Sequence, residues 1–274
     1  MEPTTTDPSP DPLHPAALVA YSFDSQGARL NGIGYLPGGP GPHPTVLVLH
    51  GFPGNERNFD LAQAYRRAGW AAFVFHYRGA WGSGGDFAFA HVLEDVHSAL
   101  AFIRSRAGSF RTDPDRIALI GHSMGGWASL ITASEDPDLL GAGSLAGWNV
   151  GAEARLMLSG SRAEVRVLAG AADSLGPLHG TDAETLVREA KERHMEWDLV
   201  ERTRSLADRP LLVVAASRDE EVPPHLHHTP VVNALRGAGA SRLTELVLDT
   251  DHAFSDHRIA LARATIDWLQ STLP

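Results

Sequence analysis

The chain of 274 residues contains no cysteine. A disulfide framework, a thiolate metal site and a cysteine nucleophile are therefore excluded, whichever compartment the protein occupies. Long apolar runs are also missing, because the longest are five to eight residues, whereas a membrane-spanning helix needs roughly 20. The sequence therefore predicts a protein with no transmembrane segment and no membrane partner.

Acidic residues outnumber basic ones, 33 against 23, which gives a formal net charge of −10. Nucleic acid backbones are negative, and no dense run of arginine interrupts the acidic background, so we expect no nucleic-acid partner. Hydrophobic residues make up 43% of the chain and charged residues 20%. This balance is typical of a folded globular protein.

The first fifteen residues differ in composition from the rest. Residues 1–15 contain five prolines and have neither the basic start nor the apolar stretch of a secretory signal. Proline lacks the amide donor and fixes its own dihedral, so this segment is predicted to be a disordered tail. The folded domain is expected to cover 16–274, in a cytoplasmic protein.

Eight short runs rich in β-branched or aromatic residues alternate with longer helical patterns after the tail. This alternation predicts an α/β fold with a mostly parallel, doubly wound sheet and helices on both faces. The first two runs, joined at Ser25-Gln26-Gly27, are predicted to form an antiparallel hairpin. The predicted strands cover 17–23, 29–36, 45–50, 71–76, 116–121, 141–146, 211–216 and 243–248. Helical periodicity covers 58–68, 86–106 (ended by Gly108), 127–134 and 259–269.

One interval, 147–208, is far longer than the dozen residues that a plain crossover between parallel strands needs. Within it, Thr181 followed three residues later by Glu184 is the pattern of a capping box. Apolar positions continue at helical spacing from Leu186 to Trp197 and on toward residue 200. We therefore predict a helical cap or lid here. A simpler alternative, that these helices only cover the edge of the sheet, stays open.

A serine follows directly after the fifth predicted strand. The strand leads into Gly121-His122-Ser123-Met124-Gly125 and then into a helical pattern, which is the context of a nucleophile elbow. The turn is so tight that glycine is needed where the helix crosses the strand. It would raise the Ser123 hydroxyl above the carboxyl edge of the sheet, with the backbone N–H of Met124 aimed at the same point. Ser123 is therefore the predicted nucleophile, and an ordinary turn serine is the alternative.

With this motif in this context, the chain from about Leu18 onward resembles the α/β-hydrolase family. A second match, His50-Gly51-Phe52-Pro53-Gly54 after the third strand, is similar to the oxyanion loop of that family. The resemblance implies that the amide N–H of Phe52 faces Ser123 and forms a two-donor oxyanion hole with the N–H of Met124. An ordinary turn at the end of the strand is the alternative for His50-Gly51.

The family order along the chain is nucleophile, acid, base. Although the chain has 14 histidines, this order implies that His252, on the loop after the last strand, is the base. Asp219 follows the seventh strand in a segment that resembles the family pattern Asp-x-x-Val-Pro, and it is the implied acid. Asp173 in the long interval is a weaker alternative. Asp249 and Asp251 are expected to shape the turn before His252.

Aromatic residues on the predicted active edge and in the long interval are candidates for substrate contact. Trp81, Trp148 and Trp197 are the chosen candidates, with core or lid packing as the alternative for each. Trp81 lies in the glycine-rich stretch 77–85, which resembles a family loop near the mouth of the active site. That stretch has no lysine placed as in a phosphate-binding loop, so a nucleotide is not implied.

Three histidines, His225, His227 and His228, follow a Pro-Pro pair near the implied acid. Because no cysteine accompanies them, we predict exposed loop residues here and no metal site. The serine mechanism needs no cofactor, so none is predicted.

The predicted function is a serine hydrolase that cleaves small-molecule carboxylic esters through an acyl-enzyme intermediate. Serine at the elbow disfavours the dehalogenase and epoxide-hydrolase branches of the family, which use aspartate there.

Two alternatives to this function stay open. One is a small peptidase or amidase of the prolyl-oligopeptidase-like, dienelactone hydrolase-like branch, which has a similar Gly-x-Ser-x-Gly-Gly elbow. The other is a non-catalytic binding protein that keeps the fold. A homodimer is one option for the assembly, and the sequence does not decide it.

Overall fold

A single sheet of eight strands runs through the computed structural model, which describes residues 2–160, 168, 170 and 175–272. In chain order the strands are β1 Ala17–Ser25, β2 Ala28–Leu36, β3 His43–Leu49, β4 Ala71–Phe75, β5 Thr112–His122, β6 Gly141–Leu145, β7 Leu211–Ala216 and β8 Leu243–Leu248. Their order across the sheet is β1-β2-β4-β3-β5-β6-β7-β8. The predicted hairpin β1-β2 and the pair β2-β4 are antiparallel, and all pairs from β4 to β8 are parallel. The predicted fold class is confirmed.

The inner strands are apolar without alternation because helices cover both faces of the sheet. All residues of β4, β6 and β7 are buried. Neighbouring residues of one strand nevertheless point to opposite faces. In β3, for example, Leu47 packs into one apolar core while Val46 and Val48 pack into the other. The edge strand β8, in contrast, is only partly buried.

Helices fill the intervals between the strands, in the layers that the pattern predicts. The first five are α1 Phe59–Arg67, α2 Phe89–Ser105, α3 Ala107–Phe110, α4 Met124–Glu135 and α5 Val150–Leu158. The later ones are Ala183–Glu192, His194–Trp197, the 3₁₀ turn Leu199–Arg202, Thr203–Leu206, Pro224–His227, Thr229–Gly237 and Arg258–Thr272. α1 and Arg258–Thr272 pack on one face of the sheet, and α2 and α4 on the other. Within the part of the chain that the structure describes, no helix is both long and apolar enough to span a membrane.

Two helix boundaries differ from the prediction. Gly108 does not end a helix but lies inside α3, and the chain turns only at Arg111, whose φ is 54°. Arg111 adopts this left-handed conformation and its guanidinium donates to the carbonyl of Pro37 at 2.9 Å. In the long interval, Asp182 rather than Thr181 caps the helix, because its carboxylate accepts from the N–H of Thr185 at 2.7 Å.

The helical pattern predicted from Leu186 toward residue 200 is divided into separate pieces. The helix Ala183–Glu192 ends at Arg193, and a short helix runs to Trp197. The backbone then becomes extended at Asp198, whose carboxylate accepts from the N–H of Val200 at 3.0 Å and starts a 3₁₀ turn. The buried Asp198 also accepts from the Asn149 amide at 2.8 Å, so a tertiary contact decides this break.

The proline-rich segment before β1 makes contacts with the body of the domain. The carbonyl of Pro3 accepts from Arg67, and the carbonyl of His14 accepts from the N–H of Gly39 at 2.9 Å. The disorder expected for 1–15, the domain limits and the movement of 147–208 as a lid stay predictions.

Candidate active site

The turn after β5 holds Ser123 in a conformation that few residues other than glycine adopt, with φ 55° and ψ −121°. The glycines on both sides make this possible. A Cβ added at Gly121 would lie 1.9 Å from the carbonyl oxygen of Gly125, and one added at Gly125 would lie 2.2 Å from that of Leu49. No side chain fits at either position. Ser123 thus stands between the end of β5 and the first residue of α4, as the elbow motif predicts.

An imidazole and a carboxylate from two later loops are hydrogen-bonded to each other, and the imidazole lines the same cavity as Ser123. Asp219 Oδ2 accepts a hydrogen bond of 2.6 Å from His252 Nδ1. The other oxygen, Oδ1, accepts from the backbone N–H groups of Glu221 and Val222 at 2.9 and 2.7 Å. Because Nδ1 donates, the other ring nitrogen of His252, Nε2, is left able to accept a proton. The Asp219 side chain is 1% exposed and that of His252 is 11% exposed.

A second histidine, His122, holds the backbone of His252. His122 Nε2 donates to the carbonyl of His252 at 2.8 Å, and the two rings lie 4.7 Å apart. Burial, with the neighbouring His252, lowers the pKa of His122 to about 3, so the ring is neutral at neutral pH. Sequence reasoning did not identify this contact, although His122 is the variable position of the Gly-x-Ser-x-Gly motif.

The loop 51–54 lies against the serine, as the resemblance implies. A Cβ added at Gly51 would lie 2.9 Å from Ser123 Cβ and 3.5 Å from Ser123 Oγ. The peptide unit that joins Gly51 to Phe52 is therefore next to the hydroxyl. Met124 is the first residue of α4, and amide groups at such a position have no partner within the helix and carry partial positive charge. The two N–H groups proposed as oxyanion donors belong to these two neighbouring segments.

Ser123 and His252 open into one cavity of about 330 Å³. Ser123 and His252 lie at the sheet edge, and α5 with the helix Ala183–Glu192 supplies four apolar side chains to the wall, those of Met157, Leu186, Val187 and Ala190. The interval 147–208 thus contributes directly to the walls of the cavity. The described residues that line it are Phe52, Phe89, Ser123, Trp148, Glu153, Met157, Gly170, Leu186, Val187, Ala190, Glu220, Glu221, Val222 and His252.

The three tryptophans chosen as substrate contacts occupy different environments. Trp148 lines the cavity. Trp81 donates from its indole nitrogen to the carbonyl of Pro53 at 2.8 Å, and so contacts the loop 51–54. Trp197 is fully buried in the core, edge-on to Trp127 with ring centroids 5.4 Å apart. The prediction that Trp197 lines the pocket is therefore wrong. This large apolar ring at the end of a short helix packs against the core instead.

The histidines after Pro223 are not uniformly exposed, which corrects the prediction for this loop. His225 is exposed, but His227 is buried with Nε2 3.2 Å from a carboxylate oxygen of Glu153. His228 Nε2 lies 2.9 Å from Glu245 Oε1. Across the described residues, no three acidic or histidine side chains are grouped as metal ligands would be.

Two further aspartates near His252 in the sequence make other contacts. Asp251 Oδ1 accepts from the N–H of Ser255 at 2.8 Å, the turn contact expected of it. Asp249 Oδ1 accepts from the Ser217 hydroxyl at 2.8 Å. Asp173 lies outside the described residues. Of the described aspartates considered, Asp219 is the one in contact with His252.

Comparisons with known proteins give a family match and partial matches to curated relatives. A family model described as "Alpha/beta hydrolase family" matches residues 46–264. The "Quorum-quenching protein AidA" of Acinetobacter baumannii is 30% identical over 128 residues, which are 44% of this chain and 41% of AidA. "Putative esterase NocK" of Nocardia uniformis subsp. tsuyamanensis is 29% identical over 209 residues, 65% of this chain and 60% of NocK. The match thus covers less than two thirds of either relative.

Among solved structures, the Pyrococcus furiosus esterase Pf2001 has the same fold. Its TM-score is 0.69 at 15% sequence identity, and the alignment covers 94% of this chain and 92% of that one.

Proposed function

Because the chain belongs to the α/β-hydrolase family, we propose that it is a serine hydrolase that cleaves carboxylic esters through an acyl-enzyme intermediate. The observation that carries this proposal is the hydrogen bond of 2.6 Å between His252 Nδ1 and Asp219 Oδ2, beside a cavity that Ser123 also lines. The esterase name of NocK, similar over 65% of this chain, supports an ester as the substrate.

In the first half-reaction, Ser123 Oγ attacks the carbonyl carbon of the ester while its proton passes to His252 Nε2. The carbonyl π electrons move to oxygen, and the Asp219 carboxylate stabilises the imidazolium that forms. When the tetrahedral intermediate collapses, the bond to the leaving alkoxide breaks, and the alcohol departs with the proton from His252. Water then attacks the acyl-serine by the same steps, which releases the carboxylic acid and restores Ser123.

The negative charge on the tetrahedral oxygen needs donors that are already in place. In this proposal the N–H groups of Phe52 and Met124 supply them, from the loop after β3 and the start of α4. Loss of one such donor typically costs about 2.7 to 4 kcal/mol of transition-state stabilisation. The close approach of Gly51 to Ser123 supports this assignment.

The cavity favours a small substrate with an apolar acyl group. Its volume of about 330 Å³ lies at the lower end of the range for small-molecule sites, and Phe89, Trp148 and Met157 line it. The exposed Glu220 and Glu221, which also line it, disfavour a substrate with a carboxylate near the reacting bond. We expect higher kcat/KM for short p-nitrophenyl esters than for the matched p-nitroanilides. The reverse ranking would favour the peptidase alternative.

Labelling by a fluorophosphonate tests the nucleophile, since the reagent reacts with a serine that has an assembled base and oxyanion hole. Wild-type protein should be labelled, and Ser123→Ala should lose both labelling and ester hydrolysis. Ser129→Ala is the matched control, because Ser129 is a buried serine of the same helix α4 and should leave labelling unchanged. Labelling that persists in Ser123→Ala would contradict the assignment, and a wild-type protein that is not labelled would favour the binding-protein alternative.

A further inference from the structure

Side chains donate hydrogen bonds to three of the four carbonyl groups of residues 51–54. The carbonyl of Gly51 accepts from His50 Nδ1 at 2.8 Å, that of Pro53 from Trp81 Nε1 at 2.8 Å, and that of Gly54 from Arg57 Nε at 3.0 Å. The carbonyl and the N–H of a trans peptide unit point in opposite directions. A donor on the carbonyl of Gly51 therefore sets the direction of the N–H of Phe52, which shares its peptide plane.

A second histidine lies behind His50. His76 Nδ1 is 3.3 Å from His50 Nε2. Since a carbonyl only accepts, His50 Nδ1 carries the proton that Gly51 receives, and in the neutral ring His50 Nε2 must accept. His76 Nδ1 is then the donor. Burial lowers the pKa of His50 to about 3 and that of His76 to about 4, so both rings are neutral at neutral pH.

Trp81 contacts the loop on the C-terminal side of Phe52, at Pro53. Its indole N–H meets the carbonyl of Pro53, and the guanidinium of Arg57 lies over its ring at 4.0 Å from the centroid. The backbone of Trp81 is itself held, because its N–H donates to the carbonyl of Pro177 at 3.1 Å. A Cβ added at Gly54 would lie 2.7 Å from both Trp81 Nε1 and His50 Cε1, so the loop packs closely on both side chains.

We propose that His76, acting through His50, and Trp81 are positioning residues that orient the Phe52 amide toward the oxyanion, so that Trp81 supports the reaction without contacting substrate. The inference rests on the proposed function, in which that amide stabilises the tetrahedral intermediate. A donor misplaced by even a fraction of an ångström loses much of its effect on the transition state while ground-state binding changes little.

Three variants test the proposal. His76→Leu removes the donor to His50, Trp81→Phe removes the indole N–H but keeps an aromatic face for Arg57, and His76→Asn restores an N–H donor near the position of Nδ1. We expect His76→Leu and Trp81→Phe to lower kcat for a p-nitrophenyl ester by about tenfold to 10²-fold. KM should change by less than about twofold. Affinity for a trifluoromethyl ketone, which forms a tetrahedral adduct, should fall in parallel with kcat, and His76→Asn should recover most of the loss.

Hydrogen exchange of the amides in 50–58 supplies a readout independent of catalysis. Exchange should be faster in His76→Leu and Trp81→Phe than in the wild type, and unchanged in a control, His97→Leu, whose parent histidine is exposed and 3.4 Å from Glu135. Unchanged exchange would overturn the proposal even if hydrolysis is never detected. Faster exchange with an unchanged kcat, or a raised KM in Trp81→Phe at unchanged kcat, would also overturn it. Failure of the proposed function shows separately, as wild-type protein that fluorophosphonate does not label.

Discussion

The turn at Ser123 and the loop 51–54, the proposed oxyanion loop, lie in contact, yet different groups hold them in place. The elbow is held by backbone: the N–H of Ser123 donates to Leu145 at 2.9 Å, and the Ser123 carbonyl accepts from Gly126 at 2.9 Å and Trp148 at 3.0 Å. The oxyanion loop is held by side chains of His50, Arg57 and Trp81. A backbone-held turn appears in the sequence as a motif of glycines, whereas the contact of Trp81 with Pro53, 28 residues apart in the chain, leaves no pattern of fixed spacing.

Acidification should destabilise both regions, and its effect on the free energy of unfolding is the largest that we expect. Burial lowers the pKa of His122 in the elbow and of His50 beside the loop to about 3, and that of His76 to about 4. The unfolded chain binds protons on these rings near its ordinary histidine pKa of about 6.5, while the folded chain does not. The free energy of unfolding should therefore fall as pH drops from about 6.5, by on the order of 2 kcal/mol per ring at pH 5.

Urea denaturation of wild type and His76→Asn at pH 7 and pH 5 measures this loss. Asparagine does not titrate, so the variant should lose less stability over this interval than the wild type by on the order of 2 kcal/mol. Equal losses in the two proteins would mean that His76 is not held neutral by its surroundings.

A methyl group added at Gly125 should strongly destabilise the turn at Ser123. In Gly125→Ala the new Cβ would meet the carbonyl of Leu49 at 2.2 Å, and a backbone group cannot move away as a flexible side chain can. We expect a loss of at least about 3 kcal/mol in the free energy of unfolding. Gly108→Ala is the matched control, because nothing lies within 4 Å of its Cβ position and the change should stabilise by about 0.4 to 1 kcal/mol. Similar stabilities of the two variants would contradict the packing argument.

The smallest expected effect on kcat and stability comes from a substitution of Arg57, which contacts both Gly54 and Trp81. Arg57→Leu removes the donor to Gly54 and the guanidinium over Trp81, but leaves the hydrogen bonds at Gly51 and Pro53 in place. Because each of these two partly exposed contacts is worth about 0.5 to 1.5 kcal/mol, we expect a loss of kcat of no more than about tenfold and a stability within about 2 kcal/mol of the wild type. A larger loss of kcat than in Trp81→Phe would place the main support at Arg57 instead.

The strands and the elbow were the predictable parts because both depend on local physics. A strand covered on both faces must be apolar along its length, and β4 and β7 show this directly. The turn at Ser123 requires glycine on both sides for steric reasons that do not depend on the rest of the fold.

Predictions within the interval 147–208 were less accurate, because tertiary contacts decide where its helices end and which side chains are buried. Thr181 and Asp182 are both good caps, and the local geometry favours Asp182. The helical spacing up to Trp197 continues past Arg193, but Asp198, buried against Asn149, ends it. Trp197 itself was indistinguishable in the sequence from a pocket residue, since an aromatic side chain suits a core and a binding wall equally.

The sequence by itself determined the α/β architecture, the eight strands and the position of Ser123, because hydrophobic periodicity and glycine sterics act over a few residues. It also pointed to Asp219 and His252 through their order along the chain. Only the tertiary structure decided that Trp81 contacts the loop 51–54, that Trp197 is core, that His122 bonds to the backbone of His252 and that His76 lies behind His50. Such contacts join residues far apart in the chain, and no local pattern encodes which of many suitable side chains will meet.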